Sequence, residues 1–225
     1  MRASSEMTLS VAGRGEVHAL HLAADDPVAF LVLAHGAGAG MRHPFLESLA
    51  DAYAARGVST LRYMFPYMET GRGRPDPPQV LHAAVRTAVT AAGLLANGCP
   101  IFAGGKSMGG RMTSQAHSEK PLADVRGLVF VGFPLHPVGD PGTARADHLH
   151  RIAEPMLFLQ GTKDRLALPD LLKPVLVRLG DRAHVEWLND GDHDFKVPVR
   201  GGMTRAQTLA WLAEKTAGWM HSIDN

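Results

Sequence analysis

Ser107 is the residue around which chemistry can be organised. It sits in "FAGGKSMGGR" (102–111), where Gly105-Lys106-Ser107-Met108-Gly109 has the G-x-S-x-G spacing that lifts a serine hydroxyl onto a sharp strand-to-helix turn. Glycines are needed two positions to either side because the serine backbone takes a positive φ there, and bulk would collide with the flanking strand or helix. Gly105-Lys106-Ser107 also ends like a phosphate-binding loop, G-x-x-x-x-G-K-[ST], in which Lys106 would be the chemical residue. That loop needs its first glycine at position 100, which is Pro100, and the apolar Ile101-Phe102-Ala103 follow it. No acid ends "GLVFVGF" (127–133) to hold a magnesium ion. The serine reading is therefore preferred.

A serine hydroxyl is a weak nucleophile until a histidine takes its proton, and a carboxylate must hold that histidine in one tautomer. For a serine on this kind of turn the chain order is Ser, acid, His. Asp164 follows the apolar run "PMLFLQG" (155–161), and His193 lies in "GDHDFKVP" (191–198), at the same end of the next apolar run. The other histidines serve less well: His136, His148 and His150 precede the acid, His184 begins a strand at the far end, and His221 is near the C-terminus. Asp190, Asp192 and Asp194 flank His193 and are alternative acids. Acyl transfer also needs N–H donors for the oxyanion. Met108, directly after the serine, supplies one, and "AHGAGAGM" (34–41) supplies the other from Ala37, with Gly38 the next choice. "GAGAG" does not read as a dinucleotide loop, because Gly36 and Gly38 are followed by Met41 and no acid ends "STLRYMF" (59–65) to hold a ribose. No cofactor is expected.

The elements that would position these residues alternate. Apolar runs rich in Val, Leu and Phe recur at 29–35, 59–65, 100–105, 127–133, 155–161 and 184–190. Most read as parallel strands covered on both faces. Helical spacing fills 44–56, 78–96, 108–118, 169–180 and 203–220. Two alternating segments around Gly13-Arg14-Gly15 predict an antiparallel hairpin at the sheet edge. The expected architecture is α/β, a doubly wound and mostly parallel sheet of about seven strands with helices on both faces, in one domain over 1–225. The connection 134–154 has no strong amphipathic helix, so little or no lid is expected. Leu135, His136, His148 and His150 are candidate pocket residues in it, although surface histidines are the plainer reading. "TGRGRPDPP" (70–78) and "HPVGDPG" (136–142) read as surface loops.

Composition narrows the partner. Twenty-three Lys and Arg against 22 Asp and Glu leave a formal charge of +1, which argues against nucleic acid or an anionic membrane and for a small molecule. A single cysteine, Cys99, excludes an internal disulfide and a thiolate metal cluster. The N-terminus has no continuous apolar stretch of the secretory kind and no later run has the length of a membrane span, so cytoplasmic localisation is expected. Arg72, Arg74, Arg111 and Lys106 are candidates for meeting an anionic substrate, with surface charge the alternative for each.

Together "LAHGAGAGM", "GGKSMGGRM", "FPLHPVG", "LFLQGTKD" and "GDHDFKVP" resemble the α/β-hydrolase superfamily, in particular its small dienelactone-hydrolase-like members of the testis-expressed protein thirty type. The resemblance runs from about residue 29 to about 219. It implies a Ser107, Asp164, His193 triad, explains Lys106 before the serine, and implies hydrolysis of a small ester or related acyl bond through an acyl-enzyme. The alternative is a hydrolase-fold binding or scaffold protein without efficient catalysis.

Overall fold

The computed structural model describes residues 2–198 and 202–224. A β-hairpin opens the chain, with β1 (Ser5–Val11) antiparallel to β2 (Gly15–Leu22). Arg14 N–H donates to Val11 O across the turn, whose Gly13 and Gly15 take positive φ. The alternation then begins: β3 (Ala29–Ala34), α1 (Pro44–Ala54), β4 (Val58–Tyr63), the one-turn α2 (Pro66–Glu69), α3 (Pro78–Leu95), β5 (Ile101–Lys106), α4 (Met108–Glu119) and β6 (Val125–Val131). After a 3₁₀ segment at Ala144–Arg151 come β7 (Met156–Gly161), α5 (Pro169–Leu179), a short 3₁₀ turn at Gly180–Arg182, β8 (Ala183–Leu188) and α6 (Arg205–Asp224).

The sheet order is β1-β2-β4-β3-β5-β6-β7-β8, and every neighbouring pair from β4 to β8 is parallel. Eight strands form it, in keeping with the expected mostly parallel sheet of about seven, and the expected hairpin is its antiparallel edge. β3, β4, β5 and β7 are buried at every residue, as strands covered on both faces are, and β4 does so while carrying the polar Ser59, Thr60 and Arg62. Their pleat feeds two cores. Phe30, Val32, Phe130, Met156 and Phe158 face α3, α4 and α5, whereas Leu31, Leu33, Val129, Leu157 and Leu159 face α1 and α6. Removing any one of these buried side chains forfeits roughly 1.5–3 kcal/mol of burial before a cavity term is added. Tyr53 on α1 meets Thr216 on α6 by a 3.2 Å hydrogen bond between hydroxyls, which fixes these two helices against each other.

The connection 134–154 is more ordered than its composition predicts. Its 3₁₀ segment buries Ala146, His148 and Leu149, and His148 Nε2 lies 2.7 Å from Ser114 Oγ on α4. His136 is buried too; its ring Nδ1 bonds Pro137 O and its Nε2 accepts from Leu168 N–H. These two histidines fasten the connection to the body of the fold, correcting the surface reading; His150 is exposed. Among the described residues, no helix is long and apolar enough to cross a membrane.

Candidate active site

Ser107 stands between β5 and α4 with φ 52° and ψ −118°, a left-handed backbone that a non-glycine residue adopts only under constraint. The constraint comes from close packing on either side. A Cβ on Gly105 would lie 2.4 Å from Ala34 O, and one on Gly109 would lie 2.6 Å from both Ala34 O and His35 O. Neither position can carry a side chain while β5 and α4 stay this close to the end of β3. The serine's own N–H donates to Val131 O at 3.1 Å, so the turn is also tied to β6.

Two loops at the same edge of the sheet reach this serine. His193, in the loop after β8, lies with Nε2 2.8 Å from Ser107 Oγ, and its Nδ1 lies 2.7 Å from Asp164 Oδ2. Asp164, beyond the end of β7, is 1% exposed and saturated with donors. Its Oδ2 also accepts from Gln160 Nε2 at 2.6 Å, and Oδ1 accepts from Leu166 N–H at 2.8 Å. With Nδ1–H directed at this carboxylate, His193 turns Nε2 toward the Ser107 hydroxyl. The acid loop and the histidine loop touch backbone to backbone: a Cβ on Gly161 would meet Gly191 O at 2.1 Å, and Lys163 N–H donates to Gly191 O.

The three other aspartates have different work. Asp192 Oδ1 accepts from the N–H groups of Asp194 and Lys196, each at 2.9 Å, and so closes its own turn. Asp194 Oδ2 lies 3.4 Å from Lys196 Nζ, and Asp190 sits at φ 55° with its N–H bonded to Thr162 Oγ1. Asp164 is the carboxylate that reaches His193. Gln160 was not expected at the site, because a buried amide at the end of "PMLFLQG" is hidden in an apolar run. Its Oε1 accepts from Phe133 N–H at 3.0 Å, which orients the NH₂ toward Asp164.

The loop 35–39 faces the serine from β3. His35 is fully buried, which pushes its ring down to about 4 despite the opposing pull of its bond to Gly36 O, so it is neutral at pH 7. Nε2 accepts from Phe65 N–H at 3.0 Å, which leaves Nδ1 protonated to donate to Gly36 O at 2.7 Å. In a trans peptide the N–H points opposite to the C=O, so pinning Gly36 O toward His35 turns the Ala37 N–H away from that ring. Tyr67 OH donates to Ala37 O at 2.8 Å and holds the next peptide. Met108 is the first residue of α4, where N–H groups have no partner within the helix and the macrodipole favours negative charge.

A cleft of about 440 Å³ opens over Ser107 and His193, walled by Gly36 to Ala39, Phe45, Leu46, Leu166 and the cations Lys106, Lys196 and Arg205. No residue of 134–154 lines it, so Leu135, His136, His148 and His150 are not pocket residues. Arg72 and Arg74 lie on the exposed loop after α2, Arg72 near Asp76, and Arg111 is not among the residues that line the cleft. Lys106, by contrast, is a buried residue of the cleft wall rather than a surface charge, and burial lowers its ammonium to about 8 against the raising influence of Asp194, Asp164 and Asp192. Lys196 comes from the loop after β8 and Arg205 from the first residue of α6; neither was singled out from the sequence.

Residues 27–221 match the family described as alpha/beta hydrolase domain. Among solved structures, the dienelactone hydrolase of Anabaena variabilis is 18% identical with a TM-score of 0.75, over 98% of this chain and 97% of that one. The esterase domain of a Rhodothermus marinus protein is 14% identical, TM-score 0.73, with 98% of each chain covered. A serine hydrolase without a lid from Xanthomonas campestris is 16% identical, TM-score 0.70, over 98% and 93%. At these identities the likeness establishes the fold.

Proposed function

The chain belongs to the α/β-hydrolase domain family, and from that premise we propose that it is a serine hydrolase cleaving a small ester or related acyl bond through an acyl-enzyme. The observation that carries the reading is the unbroken hydrogen-bond line from Ser107 Oγ through both ring nitrogens of His193 to Asp164 Oδ2, at 2.8 and 2.7 Å. His193 Nε2 takes the hydroxyl proton as Oγ bonds to the carbonyl carbon; the carbonyl electron pair moves to oxygen, and the N–H groups of Met108 and Ala37 stabilise it. Collapse returns the pair and breaks the bond to the alcohol, which receives the proton from His193. Water then repeats the sequence on the acyl-enzyme, releasing the acid and regenerating Ser107. Asp164 orients the His193 ring and stabilises the imidazolium.

Within the family we assign the chain to the small dienelactone-hydrolase-like members of the testis-expressed protein thirty type, on "GGKSMGGR" and "GDHDF". We take residues 1–225 as one catalytic domain acting in the cytoplasm on a small molecule, without nucleic acid or membrane as partner. The open cleft, free of any residue from the 134–154 connection, supports turnover of soluble substrates without interfacial activation. The test is hydrolysis of p-nitrophenyl esters over a series of acyl lengths. Turnover of the short members is expected, together with its loss in Ser107→Ala; activity that survives Ser107→Ala would move the nucleophile elsewhere.

A further inference from the structure

Gly36-Ala37-Gly38 needs an outside restraint if its N–H groups are to stand still. A Cβ on Gly38 would meet nothing within 4 Å, and Ala37 and Gly38 are both exposed, so packing does not hold this stretch. Segment 64–67 supplies the restraint at three points. Met41 N–H donates to Met64 Sδ at 3.3 Å, Phe65 N–H donates to His35 Nε2 at 3.0 Å, and Tyr67 OH donates to Ala37 O at 2.8 Å. Of the three, the Tyr67 bond alone is made within 36–38 itself. Tyr67 is well fixed in turn. It is 1% exposed, its ring lies 18° from parallel to that of Phe65 with centroids 6.5 Å apart, and its carbonyl accepts from Arg72 N–H and Thr70 Oγ1. Burial, and then Asp76, push the phenol up to about 12, so the hydroxyl stays a donor at neutral pH.

Tyr67 does not line the cleft, whereas Gly36, Ala37, Gly38 and Ala39 all do. Ala37 O is therefore drawn off the cleft side, and in a trans peptide the Gly38 N–H points the opposite way. Neither the Ala37 nor the Gly38 N–H has a hydrogen-bond partner among the described residues. We propose that Tyr67 is a positioning residue for the oxyanion site: its hydroxyl locks the Ala37–Gly38 peptide, and so keeps the N–H groups of Ala37 and Gly38 turned to the oxygen that becomes negative when Ser107 attacks. This deepens the serine-hydrolase reading and rests on it. Donors aimed at developing charge act in the transition state, so the effect belongs to kcat rather than to substrate binding. A merely structural role is separable, because Ala37 is exposed and water can take over its carbonyl; deleting the hydroxyl then removes orientation and little stability.

The test compares the wild type with Tyr67→Phe, which keeps the ring and deletes the hydroxyl. Both are assayed on p-nitrophenyl acetate and on its thionoester, in which sulfur replaces the carbonyl oxygen. Sulfur accepts hydrogen bonds poorly, so the thionoester gains little from the donors and reports the rest of the site. On the acetate, kcat should fall about tenfold with KM within about twofold; outright loss of one donor, about 10²- to 10³-fold, is the ceiling. Thionoester turnover should change by less than about twofold, so the oxygen-to-sulfur ratio falls together with kcat. The melting temperature should stay within about 3 °C of the wild type. An unchanged oxygen-to-sulfur ratio overturns the proposal, whether both esters slow equally or neither does. An insoluble or strongly destabilised Tyr67→Phe also overturns it, because the bond would then be structural. The wild type reports the underlying reading separately: cleavage of neither ester defeats serine hydrolysis and the proposal with it, whereas equal cleavage of the acetate by both proteins defeats the positioning role alone.

Discussion

Exchanging each of two neighbouring-in-function aspartates for asparagine separates the acid of the site from a turn residue. In Asp164→Asn the side chain must satisfy three donors that now meet a carboxylate: His193 Nδ1–H, Gln160 Nε2 and Leu166 N–H. An amide offers one oxygen. If that oxygen keeps Leu166, the new NH₂ faces Gln160 and His193, donates to Nδ1 and moves the ring proton to Nε2, where it blocks proton abstraction from Ser107. If the amide turns over, His193 keeps a neutral acceptor that stabilises the imidazolium poorly, and the Leu166 N–H loses its partner. Losing a tautomer-holding carboxylate costs on the order of 10³- to 10⁴-fold in kcat, or about 4–5.5 kcal/mol of barrier. Asp192→Asn is different, because a single oxygen, Oδ1, accepts both of its turn bonds and an asparagine oxygen can do the same. Its expected loss is below about tenfold. Steady-state kcat/KM on a short p-nitrophenyl ester reads both. An Asp192→Asn variant as impaired as Asp164→Asn, or more so, would refute the assignment.

Three further outcomes follow from the packing. Gly109→Ala would gain about 1 kcal/mol from helix propensity in open space, yet its Cβ would lie 2.6 Å from two backbone oxygens, so thermal unfolding should show net destabilisation; a stabilised variant would contradict the close approach of α4 to β3. Gln160→Met leaves Phe133 N–H unpaired and takes one donor from Asp164, for a loss of about 2–4 kcal/mol and a melting temperature lower by roughly 5–15 °C; an unchanged melting curve would remove Gln160 from the account. Lys106 binds fewer protons folded than unfolded between about pH 8 and its ordinary value, so stability should rise with pH across that window as the buried charge is relieved. Below it, Lys106→Met should be more stable than wild type by up to about 3 kcal/mol, an advantage that shrinks toward pH 10; denaturant unfolding at pH 7 and pH 10 checks this, and a less stable variant at pH 7 reverses the sign.

What could be read from the residues divides along physical lines. β3, β5 and β7 are covered on both faces, so their composition alone announced them, and the helices between them showed their buried stripe by period. Ser107, Asp164 and His193 were legible because each sits just past a strand, at one edge of the sheet. Gln160 was not, since a buried amide inside an apolar strand has no pattern of its own. His136 and His148 misled because polar residues in a loop suggest exposure; their partners, Leu168 and Ser114, lie 32 and 34 residues away in the chain. Lys196 reaches the cleft from the loop after β8 and Arg205 from the start of α6, and only tertiary packing decides where these two points lie.

Labelling with a fluorophosphonate probe tests the central claim most directly, because it reports an activated serine without knowledge of the substrate. One adduct per chain is expected by intact mass, located on Ser107 in the peptide map and strongly slowed in His193→Ala. No adduct under conditions that label a control hydrolase, or an adduct on another residue, would contradict the account.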